Sequence, residues 1–194
     1  MAFLENIDIL IFNFLAATPQ TPTIMAYFGI ICAKFLIYFI PFHLIILWFL
    51  GGRGERQTAL AIFFAVVIGL FFSFVVGHLC YRPRPFVAGI AKALIEHKEN
   101  ASFPSNHALI FTIYVTSLYF YRYKHVARFG LVIGLLTCWA RIFTAVHYPS
   151  DILGGVVLGL VIAMFVIHIV MPFVPKFVYQ LPYSPKGRGT DLDV

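Results

Sequence analysis

The segment ARIFTAVHYPSD, residues 140–151, sets an arginine, a histidine and an aspartate where two long apolar runs meet. Charged side chains at membrane depth cost at least about 2.5–3.5 kcal/mol each on insertion scales, so they point to a function. Arg141 and His147 are read on the first run, which Pro149 ends. Ser150 and Asp151 open the next, so His147 and Asp151 stand on the two arms of a tight turn. A carboxylate there can accept the Nδ1–H of the imidazole and leave Nε2 as a free, more basic lone pair. Arg141 precedes His147 by about 9 Å of helix, within reach of the same space. The competing reading is a structural ion pair between Arg141 and Asp151.

Two further clusters fall on the same side of the apolar runs. In RPRPF, Arg82 to Phe86, alternating prolines stiffen the backbone and present two guanidiniums at low entropic cost. The planar fork of arginine suits phosphate oxygens, although such a pair can also simply touch lipid headgroups. In SFPSNH, Ser102 to His107, Pro104 suits the first turn of a helix. Free backbone N–H groups and the Ser105 hydroxyl would then form an anion site, with His107 one turn further in. Together the clusters hold what is needed to stabilise a phosphoryl group while one histidine attacks and another protonates the leaving group.

These residues must be positioned by a membrane protein. The chain has 194 residues, 61% hydrophobic and 11% charged, with 22 Phe, and its mean hydropathy is +0.90. A soluble domain is about 45–50% apolar and about 25% charged. The net charge of +6 is carried by short loops between apolar runs, a pattern of topology and anionic-lipid contact that excludes nucleic acid as a partner. Cys32, Cys80 and Cys138 have no metal-like spacing and read as buried free thiols. The acidic N-terminus lacks the basic region of a cleavable signal.

Phe3, Ile7, Leu10 and Phe14 recur at helical spacing, with Glu5, Asp8 and Asn13 between them. This predicts an interfacial amphipathic helix over 1–18. Spanning helices are expected at about 24–50, 58–80, 104–121, 126–147 and 151–174, since a core of about 30 Å needs about 20 helical residues. No period-two alternation supports a barrel. The expected fold is an all-α polytopic bundle forming a single domain over 1–175, followed by a disordered cytoplasmic tail over 176–194. Arg53, Arg56, Arg122, Lys124, Arg128, Lys176, Lys186 and Arg188 gather on one side of it. On the other, Arg82, Arg84, Lys92 and Lys98 are offset by Glu5, Asp8, Glu96 and Glu99. The positive-inside rule makes the first side cytoplasmic and turns the three clusters outward.

The clusters resemble the type 2 phosphatidic acid phosphatase superfamily, whose pattern is K-x6-R-P, P-S-G-H and S-R-x5-H-x3-D. Here Arg84-Pro85, Pro104-Ser105-Asn106-His107 and Ala140-Arg141…His147…Asp151 stand in that order and spacing. The small size and RPRPF look most like the undecaprenyl-diphosphatases of that superfamily. The resemblance implies His147 as the nucleophile, oriented by Asp151, and His107 as the acid. It implies Arg84, Ser105 and Arg141 on the phosphate oxygens. Asn106 stands where the motif has Gly, Ala140 where it has Ser, and the motif lysine is missing. Arg82 is the first candidate to replace that cation. Lys34, ten residues into the first span, is a further candidate bordering the phosphate site, its alternative being a pairing within the bundle with carbonyls or His43. His78 could also face the site; His43 and His168 read as packing residues, and His97 and His125 as solvated loop residues.

The family needs no metal or other cofactor, and the motifs carry a single carboxylate, Asp151, too few to hold Mg²⁺. The implied activity is hydrolysis of undecaprenyl diphosphate, a polyprenyl lipid held in the bacterial cytoplasmic membrane, through a phosphohistidine. That reaction returns the carrier lipid to cell-wall synthesis. Phosphatidic acid or phosphatidylglycerophosphate as substrate, phosphoryl transfer to another acceptor, and lipid-diphosphate binding or transport without cleavage are the alternatives. The oligomeric state is left open.

Overall fold

The computed structural model describes residues 2–179. Seven α-helices follow in order: α1 (Ala2–Leu15), α2 (Thr23–Phe35), α3 (Phe39–Phe49), α4 (Arg53–Leu79), α5 (Asn106–Phe120), α6 (Lys124–Phe143) and α7 (Pro149–Phe165). No strand occurs among the described residues, and the architecture is the all-α membrane bundle expected. Of the polar tail read over 176–194, Lys176–Val178 forms a short 3₁₀ turn and residues 180–194 lie outside the described residues.

Among the described residues four segments are long and apolar enough to cross a membrane: Thr23–Phe49, Arg53–Leu79, Lys124–Phe143 and Pro149–Phe173. The first joins α2 to α3 through the 3₁₀ turn Leu36–Tyr38, and the last extends α7 through π and 3₁₀ turns. The expected fifth span is α5, whose 15 residues rise only about 23 Å. It is apolar on all sides because it is the centre of the bundle, not because it faces lipid. Leu109, Ile113, Tyr114 and Leu118 are fully buried in the main core cluster.

Close packing of α7 on α5 sets the geometry of the site. A Cβ at Gly155 would run into the Ser105 carbonyl, and one at Gly159 into that of Leu109. Small residues let the two backbones approach to contact, as in other membrane helix pairs. α7 is thereby locked against the N-terminal turn of α5, beside His107.

Two expected boundaries shift. Pro104 lies outside α5, whose N-cap is Ser105. α6 ends at Phe143, not at residue 147, because Ala145 takes a left-handed backbone with φ of 61°. The N–H groups of Val146 and His147 both turn back to the Arg141 carbonyl, at 3.2 and 3.3 Å. His147 therefore sits in the α6–α7 connection, not on the helix.

α1 lies before the first span. Its Leu10 and Phe14 are 71% and 87% exposed, as a membrane-surface stripe requires, while Asp8 and Phe12 are buried against the bundle.

Candidate active site

The connection 80–105, the N-terminal turn of α5 and the α6–α7 connection enclose a cavity of about 460 Å³. Arg84, His97, Asn100, His107, Arg141 and His147 line its polar wall. Among the described residues no carboxylate lines it. A cavity walled by two guanidiniums and several histidines, with no anion in the wall, is built for an anion.

Arg84 is buried and all its donors are placed. Nε and Nη2 donate to Asn100 Oδ1 at 3.2 and 3.0 Å, and Nη2 also to the Ala101 carbonyl at 3.0 Å. Nη1 donates to the Val146 carbonyl at 2.7 Å and meets His147 Nε2 at 3.3 Å. One guanidinium thus ties the 80–105 connection to the turn that carries His147. Burial lowers its pKa to about 10, against the opposing pull of Asp151.

Arg141 is the opposite case. It is 3% exposed, and its sole hydrogen bond among the described residues is a long one, 3.4 Å from Nη1 to the Ala33 carbonyl of α2. Nε and Nη2 are buried without partners. Buried polar groups are normally satisfied, and an unsatisfied charged one costs well over 1 kcal/mol. An anion in the cavity would supply the missing partner. The Ser105 hydroxyl is likewise buried with no partner, but it lies behind the residues that line the cavity.

His147 Nδ1 stands 3.5 Å from Asp151 Oδ2, longer than a good hydrogen bond but in the expected arrangement. Asp151 is held from elsewhere: Oδ2 accepts the Tyr148 N–H at 2.8 Å, and Oδ1 accepts Arg82 at 3.1 Å. The Arg141–Asp151 ion pair does not form; the cation on Asp151 is Arg82. Burial, then the charges of Arg141 and Arg84, push the His147 pKa well below its ordinary 6.5. The imidazole is neutral, with Nε2 toward the cavity.

The other candidates divide. Asn106 lines the cavity, its Oδ1 taken by the Ser73 hydroxyl of α4, which leaves its amide N–H groups as donors. His78 lines the cavity too. Arg82 does not replace the missing lysine there. Its Nη2 donates to Asp8 at 2.6 Å, its Nη1 to Ser150 at 2.6 Å and to Asp151, and the group stacks on Tyr148. The folded 80–105 connection turns Arg82 toward Asp8 and Asp151, so of the two only Arg84 lines the cavity. Lys34 is exposed on α2 and does not line the cavity, and His43 bonds to Tyr114, not to Lys34. Helix pitch turns Lys34 outward while its neighbour Ala33 supplies the carbonyl to Arg141. Cys32 alone of the three thiols is buried; Cys80 is exposed and Cys138 half-buried.

His97, read as a solvated loop residue, instead lines the cavity with Asn100. Burial, aided by Arg84 and Arg141 against the Lys98 carbonyl, lowers its pKa from the ordinary 6.5 to about 4. No periodicity could reveal this, because the 80–105 connection has no helix. The one signal was two polar side chains, three residues apart, in a loop flanked by two motifs. No cluster of three metal-ligating side chains occurs among the described residues.

The model of the PAP2 superfamily matches residues 58–174, which include all three motif segments. The chain belongs to the PAP2 superfamily. Among PAP2 relatives, YbjG of Escherichia coli (strain K12), provisionally named an undecaprenyl-diphosphatase, is 34% identical over 81% of this chain and 80% of its own. The undecaprenyl-diphosphatase BcrC of Bacillus subtilis (strain 168) is 31% identical over 61% of each chain. Two solved structures are among those that share the fold. Aquifex aeolicus LpxE has a TM-score of 0.63 at 17% identity, covering 81% of this chain and 92% of that one. A phosphatidylglycerolphosphate phosphatase of Bacillus subtilis has a TM-score of 0.64 at 21% identity, covering 90% and 89%. At those identities the two structures establish the fold.

Proposed function

We propose that this PAP2 protein hydrolyses undecaprenyl diphosphate to undecaprenyl phosphate and inorganic phosphate, on the outer face of a bacterial cytoplasmic membrane. The observation that carries the reading is Arg141, buried with two unpartnered donors in a carboxylate-free cavity beside a neutral His147. The names of the relatives support the choice of lipid.

His147 Nε2 attacks the terminal phosphorus, and the bond from that phosphorus to the bridging oxygen breaks. Burial and the charges of Arg141 and His147 lower the His107 pKa to about 2. The diphosphate anion raises it, so that His107 takes up a proton as the substrate binds and passes it to the departing lipid monophosphate, while Asp151 stabilises the Nδ1–H of the modified imidazole. Arg84 and Arg141 hold the equatorial oxygens of the phosphoryl group in flight. Water, activated by His107 now acting as base, hydrolyses the phosphohistidine and releases phosphate. The reaction returns the lipid carrier as its monophosphate, the form that cell-wall synthesis reloads.

A lipid fits the shape of the cavity. On α4, Leu70, Ser73, Phe74, Gly77 and His78 line it at helical spacing, and Phe74 is 64% exposed on the membrane face. The diphosphate would occupy the basic end and the polyprenyl chain would leave along this apolar strip. The excess of Lys and Arg on the opposite loops supports an outward-facing site and a cytoplasmic C-terminus.

The test is phosphate release from undecaprenyl diphosphate by the purified protein in excess EDTA, with His147→Ala beside it. Release by the wild type that vanishes in the variant is expected. Tight lipid binding without release would make the protein a carrier rather than an enzyme. Release only from phosphatidic acid or phosphatidylglycerophosphate would reassign the substrate.

A further inference from the structure

An amphipathic helix that merely anchors a protein to the bilayer surface has no reason to bury a carboxylate. Asp8 on α1 is only 7% exposed, and its two oxygens accept three hydrogen bonds, two from Ser150, just after His147, and one from Arg82. Oδ1 takes the Ser150 N–H at 2.8 Å; Oδ2 takes the Ser150 hydroxyl and Arg82 Nη2, each at 2.6 Å. Ser150 is the second residue of α7, where the backbone N–H has no partner within the helix. Asp8 therefore caps α7 from another helix and adds a favourable negative charge at its N-terminus.

The contact closes a ring that ends at the nucleophile. Arg82 Nη1 donates to the Ser150 hydroxyl and to Asp151 Oδ1, and Asp151 Oδ2 faces His147 Nδ1. One turn along α1, Phe12 packs on Tyr148 with ring centroids 5.6 Å apart. Beyond the helix, the Ala17 N–H donates to the Phe143 carbonyl at 3.0 Å, where α6 ends. Both arms of the connection that carries His147 are thus fastened to the N-terminal segment.

We infer that Asp8 is a positioning residue: through Ser150 and Arg82 it sets the orientation of Asp151, and so of His147, which makes α1 a part of the active site. The inference rests on the hydrolase reading above for its kinetic test but not for its structural one. Displacing a reacting group by about 1 Å can cost on the order of 10²-fold in rate. Asp8→Ala is expected to lower kcat by about that factor with KM changed less than about threefold. Asp8→Asn, which keeps one acceptor oxygen for the Ser150 N–H, is expected to recover part of the loss. An Asp8→Ala, Arg82→Met double variant is expected to fall by less than the product of the two single losses, because part of the Asp8 effect runs through Arg82.

The control is Leu10→Ser with Phe14→Ser on the exposed face of α1, which should reduce membrane attachment and leave kcat of the detergent-solubilised protein unchanged. If that pair costs as much kcat as Asp8→Ala, α1 is an anchor and the inference fails. Amide exchange over residues 144–152 reads the same link without substrate. It should accelerate in Asp8→Ala by more than the accompanying loss of Tm accounts for. Unaltered exchange would overturn the inference whatever lipid the wild type turns over, and a wild type silent on undecaprenyl diphosphate would count against the substrate alone.

Discussion

Arg84 Nη1 stands 3.3 Å from His147 Nε2 while donating to the adjacent Val146 carbonyl at 2.7 Å. The cation that should hold a phosphate oxygen already faces the atom that should attack phosphorus. A substrate oxygen need displace just this one contact, since the remaining donors of Arg84 go to Asn100, Ala101 and Val146.

Lysine cannot reproduce that arrangement, because one ammonium has no fixed fork to span three acceptors. Arg84→Lys is expected to lower kcat/KM by about 10²–10³-fold, the cost of losing one charge-stabilising donor. Steady-state phosphate release would show it; a loss below about threefold would remove Arg84 from the phosphate site.

Arg141 predicts a split between stability and activity. Its charge is buried with two donors unpartnered, and replacing a buried charge by an apolar side chain of similar volume is often neutral or stabilising, by about 1–4 kcal/mol. Arg141→Met should keep or raise the Tm of the unliganded protein while losing at least about 10²-fold in kcat/KM. Orthovanadate should raise the Tm of the wild type and not of the variant. A Tm that falls sharply in Arg141→Met would mean that the arginine is structural.

Acid should destabilise the fold through its cavity histidines. His97 has a pKa of about 4, below the ordinary 6.5, and His147 is shifted the same way. Between about 4 and 6.5 the unfolded chain binds protons that the folded one refuses, so stability is retained above about pH 6.5 and lost as pH falls toward 4. His97→Gln should flatten this slope in a Tm-against-pH series. An unchanged slope would mean that His97 is as well solvated as a free loop histidine.

Lys34→Met should leave kcat and KM within about twofold, because the side chain is exposed on α2 and absent from the cavity wall. It should also ease membrane insertion, since a lysine near the centre of a span costs about 2.5–3.5 kcal/mol on insertion scales. Lost turnover at unchanged expression would return Lys34 to the site.

Motif order and spacing located His147, His107, Arg84 and Arg141, because each is pinned within a few residues of a proline or a helix end that the sequence displays. The helical segments were legible for the same reason: long apolar runs have few foldings in a membrane. What was hidden depends on contacts between distant segments. Asp8 looks like an ordinary polar-face residue, and its partner Ser150 lies 142 positions away. Arg82 and Arg84 are chemically identical, and only the folded connection decides that one faces the cavity and the other Asp8. That α5 is the centre of the bundle was hidden, because a helix buried in protein and one facing lipid have the same apolar composition. The early end of α6 arises from the backbone of Ala145, a residue whose type gives no warning of a left-handed turn.

The strip of α4 that continues the cavity wall onto the membrane face has a kinetic consequence. A substrate that slides in sideways along Leu70 and Phe74 is never dissolved in the aqueous phase on its way to His147. Its supply is then governed by crowding within the plane, in molecules per lipid, and not by molarity. Diluting the substrate with inert lipid at fixed bulk concentration should slow turnover, whereas adding buffer at fixed lipid composition should leave the rate per enzyme unchanged. On this geometry the bilayer acts as a two-dimensional solvent, and its composition tunes the enzyme without touching any residue of the site.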